Sequence, residues 1–233
     1  AMLSTGNFNE ATATVYTDHM LMTSRHSITR EVKQVFDFIA KPYQNRTFRT
    51  LLVSPLTMRP KIVRMIENEI AHAKAGKVAW IRLKVNNLAD KEVADLLYRA
   101  SKAGVDVRLV IRGMCSLIPG MEDVSENIEA VSIVDRLLEH SRMYMFANGG
   151  RQTCYLSSGD WMTRNLDKRV EVAFPVLDKK LKEQVRMVFD LQWQDNVKAR
   201  KIDGKGKNKI VHRKGADFCS QYETLQYIRS LEL

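Results

Sequence analysis

Residues 77–113 constrain the fold more than any other stretch. KVAWIRLKV, from Lys77 to Val85, has the apolar, β-branched character of a strand, and VDVRLVIRG, from Val105 to Gly113, is a second. Between them Asp90 stands at an N-cap position, Val93, Leu96, Leu97 and Ala100 recur at helical spacing, and Gly104 closes the helix. Two strands joined through such a helix form a crossover unit, so a mostly parallel sheet with helices on its faces is the expected architecture.

The rest of the chain extends that unit. From Thr57 to Ala75, Ile62, Met65, Ile66 and Ile70 repeat at helical spacing, with Pro60 near the start and Gly76 just after. LLVS before it reads as the opening strand of the sheet. SRMYMF, TCYLS and KRVEVAFPV are strand-like, and Asp178 starts a helix carrying Leu181, Val185, Val188 and Phe189 on one face. The fold class is α/β, and 233 residues suffice for one large domain or one domain plus part of another.

The first 45 residues stand apart. A helix over Ile28 to Ile39 runs into KPYQNR, where Pro42 and its polar neighbours mark a boundary, so residues 1–45 read as the tail of a preceding domain and 46–233 as the next one. Thr5-Gly6-Asn7-Phe8 echoes Ser158-Gly159-Asp160-Trp161, as expected if two related halves exist and most of one lies upstream. AMLSTGNFNE lacks the basic and apolar regions of a signal peptide, and the alanine before Met2 suggests an expression fragment with vector-derived first residues.

Charge narrows the partner. Lys plus Arg outnumber Asp plus Glu by 37 to 27, a formal +10 that favours phosphates, nucleic acid or acidic lipid, or simply maintains solubility. The basic stretch RKIDGKGKNKIVHRKG, residues 200–215, reads as a mobile loop that could gather anions. Cys115, Cys154 and Cys219 form neither a disulfide framework nor a zinc pattern, which fits a reducing cytoplasm. No apolar run is long enough to span a bilayer, so the protein is expected to be soluble, cytoplasmic or peripheral to a membrane.

Several residues could carry chemistry. In LLEHSRMYMF, His140 and Arg142 are two apart, so on a strand both would project to one side and could share a phosphate. An ordinary packed histidine beside a surface arginine is the alternative. Arg112 follows a parallel strand and precedes Gly113, where open α/β sheets gather ligands, or it simply exits into solvent. Asp160, in the SSGDW turn, could orient an imidazole, hold a positive neighbour, or cap a helix. Tyr16 could stack on a base or pack in the core. His19, His26, His72 and His212 have no companion pattern and are assigned no chemistry, and P-loop, dinucleotide and metal motifs are absent.

Taken in order, TGNFNE and YTD, LLVSP, LKVNNLAD, LYRASKAGV, IRGMCSLIPG, SIVDRLLEHSRMYMFANGG and YLSSGDWMTRNLDKRVEV resemble the C-terminal part of the large bacterial polyphosphate kinases over nearly the whole chain. The resemblance implies two related phospholipase D-like α/β domains sharing one site. It also implies reversible transfer of the terminal phosphate of ATP to polyphosphate through a phosphohistidine. That histidine, in a His-x-Lys motif, would lie upstream of residue 1.

On matching positions, His140 corresponds to the second-motif histidine that assists transfer and contacts nucleotide phosphates, Arg112 to an ATP-phosphate ligand, and Tyr16 to the nucleotide-contacting tyrosine. Asn7, Arg142 and Asp160 would support them. Met2 departs from the pattern, which usually has histidine there, and truncation accounts for this most simply.

The resemblance further implies magnesium held by residues outside this chain, ATP or ADP and polyphosphate as ligands, contact with the rest of the polypeptide, and a homo-oligomer. No specific nucleic acid is expected. The chain alone is expected to be inactive. The competing readings are a phospholipase D-like phosphodiesterase acting through His140, and a non-enzymatic module gripping polyanions through Lys201 to Lys214.

Overall fold

The computed structural model describes residues 1–44, 46–213 and 215–231. Its N-terminal elements are β1 (Met2–Ser4), α1 (Glu10–Ala13), β2 (Tyr16–Thr17), β3 (Met20–Met22) and α2 (His26–Ala40). Then come β4 (Leu52–Ser54), α3 (Met58–Lys74), β5 (Trp80–Val85), α4 (Lys91–Lys102), β6 (Asp106–Ile111) and β7 (Ile128–Ile133). The remainder comprises β8 (Leu138–Glu139), β9 (Arg142–Phe146), β10 (Thr153–Ser157), α5 (Thr163–Asp167), β11 (Glu171–Pro175), α6 (Lys179–Gln194), β12 (Ala199–Lys201) and α7 (Ser220–Ser230).

The α/β class is the one expected, and the central 8-stranded sheet is mixed, in the order β12-β7-β6-β5-β9-β10-β11-β4. β5, β6 and β7 are parallel, as the crossover through α4 requires. Beyond β5 the neighbouring strands β9, β10 and β11 run antiparallel to one another, and only β9 and β10 are joined by a short reversal. Between β9 and β10 the chain reverses through Asn148, Gly149 and Gly150, all at positive φ, a conformation glycine and asparagine tolerate best. LLVS does not open the parallel run: β4 lies at the far edge, antiparallel to β11.

Strand alternation divides the core into two layers. Ile81, Leu83, Val107, Leu109, Tyr144 and Phe146 face Ile62, Ile66, Val93 and Leu97 of α3 and α4. Val110, Val131, Met143 and Met145 face the other way, with Ile28 and Val35 of α2 and Val185, Val188 and Phe189 of α6. Period-two strands between period-3.6 helices produce this sandwich directly. Among the described residues no helix is long and apolar enough to cross a membrane.

The basic stretch is more ordered than a mobile loop. Ala199–Lys201 is strand β12 on β7, and the return leg bonds back to it, with Lys201 N donating to Lys209 O at 2.8 Å and Val211 N to Ala199 O at 2.9 Å. Backbone pairing on a free sheet edge overrides the local preference of a Lys- and Gly-rich segment. Asn45, at the expected boundary, and Lys214, in the basic stretch, lie outside the described residues.

Both predicted caps form: the Asp178 carboxylate accepts from Leu181 N at 3.0 Å, and that of Asp90 from Val93 N at 3.1 Å. Asp90 is 2% exposed and also accepts from Arg59 at 3.0 and 2.6 Å and from the Thr163 hydroxyl at 2.8 Å. Burial alone would raise the Asp90 carboxyl, but these bonds outweigh it and hold it below the usual range. A depressed carboxyl stabilises the fold above its unfolded value of about 4 and loses that contribution as pH falls through the folded value. Thermal denaturation should therefore show a fall in stability below about pH 4 that is shallower in Asp90→Asn. Asp90→Ala should lose roughly 2–4 kcal/mol near neutral pH in urea titration, through the cap and the abandoned Arg59.

Candidate functional site

The C-terminal ends of the parallel strands supply the site. β5 runs out into Asn86 and Asn87, and β6 into Arg112, where the backbone leaves the sheet and side chains converge. Next to β5, β9 begins at Arg142, and β10 runs out into the Ser158–Trp161 turn. Tyr144 on β9 donates its hydroxyl to Gly159 O, and Trp161 N bonds Asn87 O at 3.2 Å, so the turn is pinned over the strand ends.

Asp160 is the hub of this cluster. Its Oδ1 accepts from Asn86 N at 2.9 Å and from Arg142 Nε at 3.0 Å, and its Oδ2 from Asn87 Nδ2 at 2.9 Å. The residue holds a positive neighbour and does not cap α5, whose N-cap position is Met162. Arg142, 8% exposed, also donates from Nη1 to Thr5 O at 3.1 Å. Asn86 continues the chain of bonds, its Oδ1 accepting from Arg112 Nε at 2.9 Å.

His140 sits in the break between β8 and β9 and not on a strand. Ser141 N turns to Thr17 O at 2.9 Å, and β2 lies parallel to β8, so the N-terminal segment is threaded beside the histidine. Its Nδ1 lies 3.0 and 2.9 Å from the Asp18 carboxylate oxygens. Arg142 Nη1 lies 3.1 Å from Nε2 and 3.3 Å from Nδ1, which places the guanidinium against the imidazole. The Tyr16 ring covers the imidazole, with centroids 4.8 Å apart.

Electrostatically Arg112 stands apart from the other charges of the cluster. Burial and the Arg142 charge lower the Arg112 guanidinium from its usual range, against the pull of Asp160, Tyr16 and Glu139. Among the described residues no carboxylate forms an ion pair with Arg112. Burial would raise the Asp18 carboxyl, but bonds from His140 and the Thr5 hydroxyl hold it below the ordinary carboxylate range. The buried Asp160 is thus committed to Arg142, and the more exposed Asp18 to His140, which leaves Arg112 half-buried and available.

The structure brings Tyr16, Arg112, His140, Arg142 and Asp160 together. Asn7 is exposed in the turn beside Thr5, where its carbonyl accepts from Asn9 N at 2.9 Å. Asp18, Thr5, Asn86 and Asn87 were missed. The pattern that could have exposed Asp18 is the echo between the two turns: Thr5 Oγ1 donates to Asp18 at 2.6 Å, and Ser158 Oγ donates to Glu171, each acid 13 residues beyond its hydroxyl. A Cβ on Gly6 would meet Asp18 Oδ2 at 2.0 Å, so glycine is required for the carboxylate to approach.

A mixed α/β sheet whose strand ends gather an imidazole and two guanidiniums, with one guanidinium lacking a carboxylate partner among the described residues, is suited to handling phosphate-like anions. The sequence matches the family described as Polyphosphate kinase C-terminal domain 2 over residues 51–221, and Polyphosphate kinase C-terminal domain 1 over residues 1–45. It is 51% identical to the polyphosphate kinase of Escherichia coli K12 and 50% to that of Yersinia pestis, each over all of this chain and 34% of the relative. The crystal structure of polyphosphate kinase from Porphyromonas gingivalis superposes with a TM-score of 0.94 at 41% identity, covering 98% of this chain and 35% of that one. The chain belongs to the polyphosphate kinase family, and it spans about a third of the length of the curated relatives it matches.

Asp160→Ala should be among the most destabilising changes at the site. It leaves the buried Arg142 without its carboxylate and frees two asparagines, a loss of about 3–5 kcal/mol measurable by urea denaturation. Asp160→Asn should recover part of it.

Proposed function

We propose that the intact protein transfers the terminal phosphoryl group of ATP reversibly to polyphosphate, and that this chain supplies the second half of its site. Residues 1–45 would close the first catalytic domain and 46–233 form the second. The phosphorylated histidine would come from the segment preceding this chain, as the family resemblance implies. The observation that carries this reading is the convergence of His140, Arg142 and Arg112 at the strand ends, on a network in which Arg112 has no carboxylate partner among the described residues.

Phosphoryl transfer needs an in-line nucleophile and positive groups on the equatorial oxygens, where charge gathers in the transition state. Arg112 binds those oxygens in this scheme, and His140, oriented by Asp18, donates to a phosphate oxygen or receives a proton from it. Tyr16, against the imidazole, borders the nucleotide, and Arg142 and Asp160 hold the geometry. Asn7 lines the approach. Magnesium would neutralise phosphate charge when bound, but among the described residues no group of three or more His, Cys, Asp or Glu is placed to hold it. Its ligands are assigned outside this chain, and no step is routed through it. The rest of the polypeptide and further copies of it are the expected partners, in the cytoplasm or at a membrane periphery.

Isothermal titration of the purified chain with ATP at fixed ionic strength tests this reading. Arg112→Ala and His140→Ala should each weaken binding about tenfold, roughly 1.4 kcal/mol. Neutralising Lys205, Lys207 and Lys209 should change it little. The reverse pattern would favour a polyanion-binding module acting through the basic hairpin. Incubation of the chain with polyphosphate and ADP should yield no ATP, whereas turnover there, or hydrolysis of a phosphodiester lost in His140→Ala, would overturn the assignment.

A further inference from the structure

β5 alternates, and one of its alternate positions carries a charge into the core. Lys84 is 1% exposed, on the α6 side of the sheet, beneath His140. An ammonium has three N–H donors and no acceptor, and buried donors must be satisfied. All three are used by the two residues that flank the histidine. Lys84 Nζ reaches Glu139 Oε2 at 2.9 Å, Ser141 Oγ at 2.8 Å and Ser141 O at 3.3 Å.

Glu139, itself 3% exposed, extends the grip. Its Oε2 accepts from Gln192 of α6 at 2.7 Å and its Oε1 from Gln221 of α7 at 2.8 Å. The Thr17 hydroxyl lies 3.3 Å from Oε2 and takes the His140 amide at 3.4 Å. The peptide carrying the imidazole is therefore clamped on both sides by one buried cation, and two C-terminal helices are tied into the same carboxylate.

We propose that Lys84 is a positioning residue for His140, holding the backbone of residues 139–141 so that the imidazole meets Asp18 and Arg142. Lys84 is not placed to touch a ligand, because its donors are spent and it is 1% exposed. Any shift of the histidine backbone must break a buried, charge-assisted bond, which confines the ring more tightly than packing alone. The inference rests on His140 being the working imidazole, and its test is made without ligand so that it stands apart from the ATP titration.

The test separates positioning from simple stability. The His140 ring is followed by two-bond 15N–1H correlation, assigned by its loss in His140→Gln, with exposed His26 and His212 as internal references. Lys84→Met, which leaves Glu139 buried without its cation, should lower the melting temperature and move the His140 Nδ1 signal toward the two references. Lys84→Met with Glu139→Gln removes both charges and should recover most of the melting temperature, since a neutral pair tolerates burial. In that double variant the His140 signal should stay displaced, because the Ser141 contacts remain lost. A double variant that restores both the melting temperature and the wild-type Nδ1 signal would overturn the proposal, as would a Lys84→Met spectrum superimposable on wild type.

Discussion

One carboxylate organises the functional end of this molecule. Asp160 receives the amide of Asn86 at the end of β5, the side chain of Asn87 beside it, and the guanidinium of Arg142 at the start of β9. Those groups come from two chain segments, which Asp160 ties to a third, its own turn. A buried anion with three donors is strongly held, and it makes a buried Arg142 affordable, since an unpaired guanidinium there would be expelled. Arg142 in turn places the turn at Thr5 and the face of His140.

The charges around that hub differ in how fully they are answered. Lys84 and Glu139 satisfy each other and the surrounding amides in the interior, so their work is structural. Arg142 is divided between Asp160, Thr5 and His140. Arg112, with a single neutral acceptor in Asn86 among the described residues, is the least answered of the set, half-buried and repelled by Arg142. A site with one under-compensated guanidinium at its mouth and fully compensated charges behind it attracts an anion without needing to rearrange.

The N-terminal segment and the turn at Ser158–Trp161 do the same job twice. Each offers a hydroxyl residue and a glycine over a carboxylate 13 positions later, Asp18 in one case and Glu171 in the other. In the first, the acid reaches His140; in the second, Asn165 takes the remaining oxygen of Glu171 at 2.7 Å. One local device thus occurs twice in the chain, once against His140 and once against Asn165.

Local pattern alone was enough for the elements that bury a periodic apolar face: α3, α4, α6 and the strands around them follow from the spacing of Ile62 to Ile70, Val93 to Ala100, and Val185 to Phe189. The caps at Asp90 and Asp178 were equally legible, because capping is decided within four residues. His140, Arg112 and Tyr16 were candidates from their local setting, with packed or solvent-exposed alternatives open, and the resemblance gave them roles. What no local pattern contains is pairing between distant segments: the mixed order of the sheet, β4 at its far edge, the hairpin made by the basic stretch, and the meeting of Asp18 with His140 across 122 positions. Sequence determined which residues would be helix, strand and charge. Tertiary structure decided which charges would neutralise one another, because that depends on distance and desolvation, quantities that exist only once the chain has closed on itself.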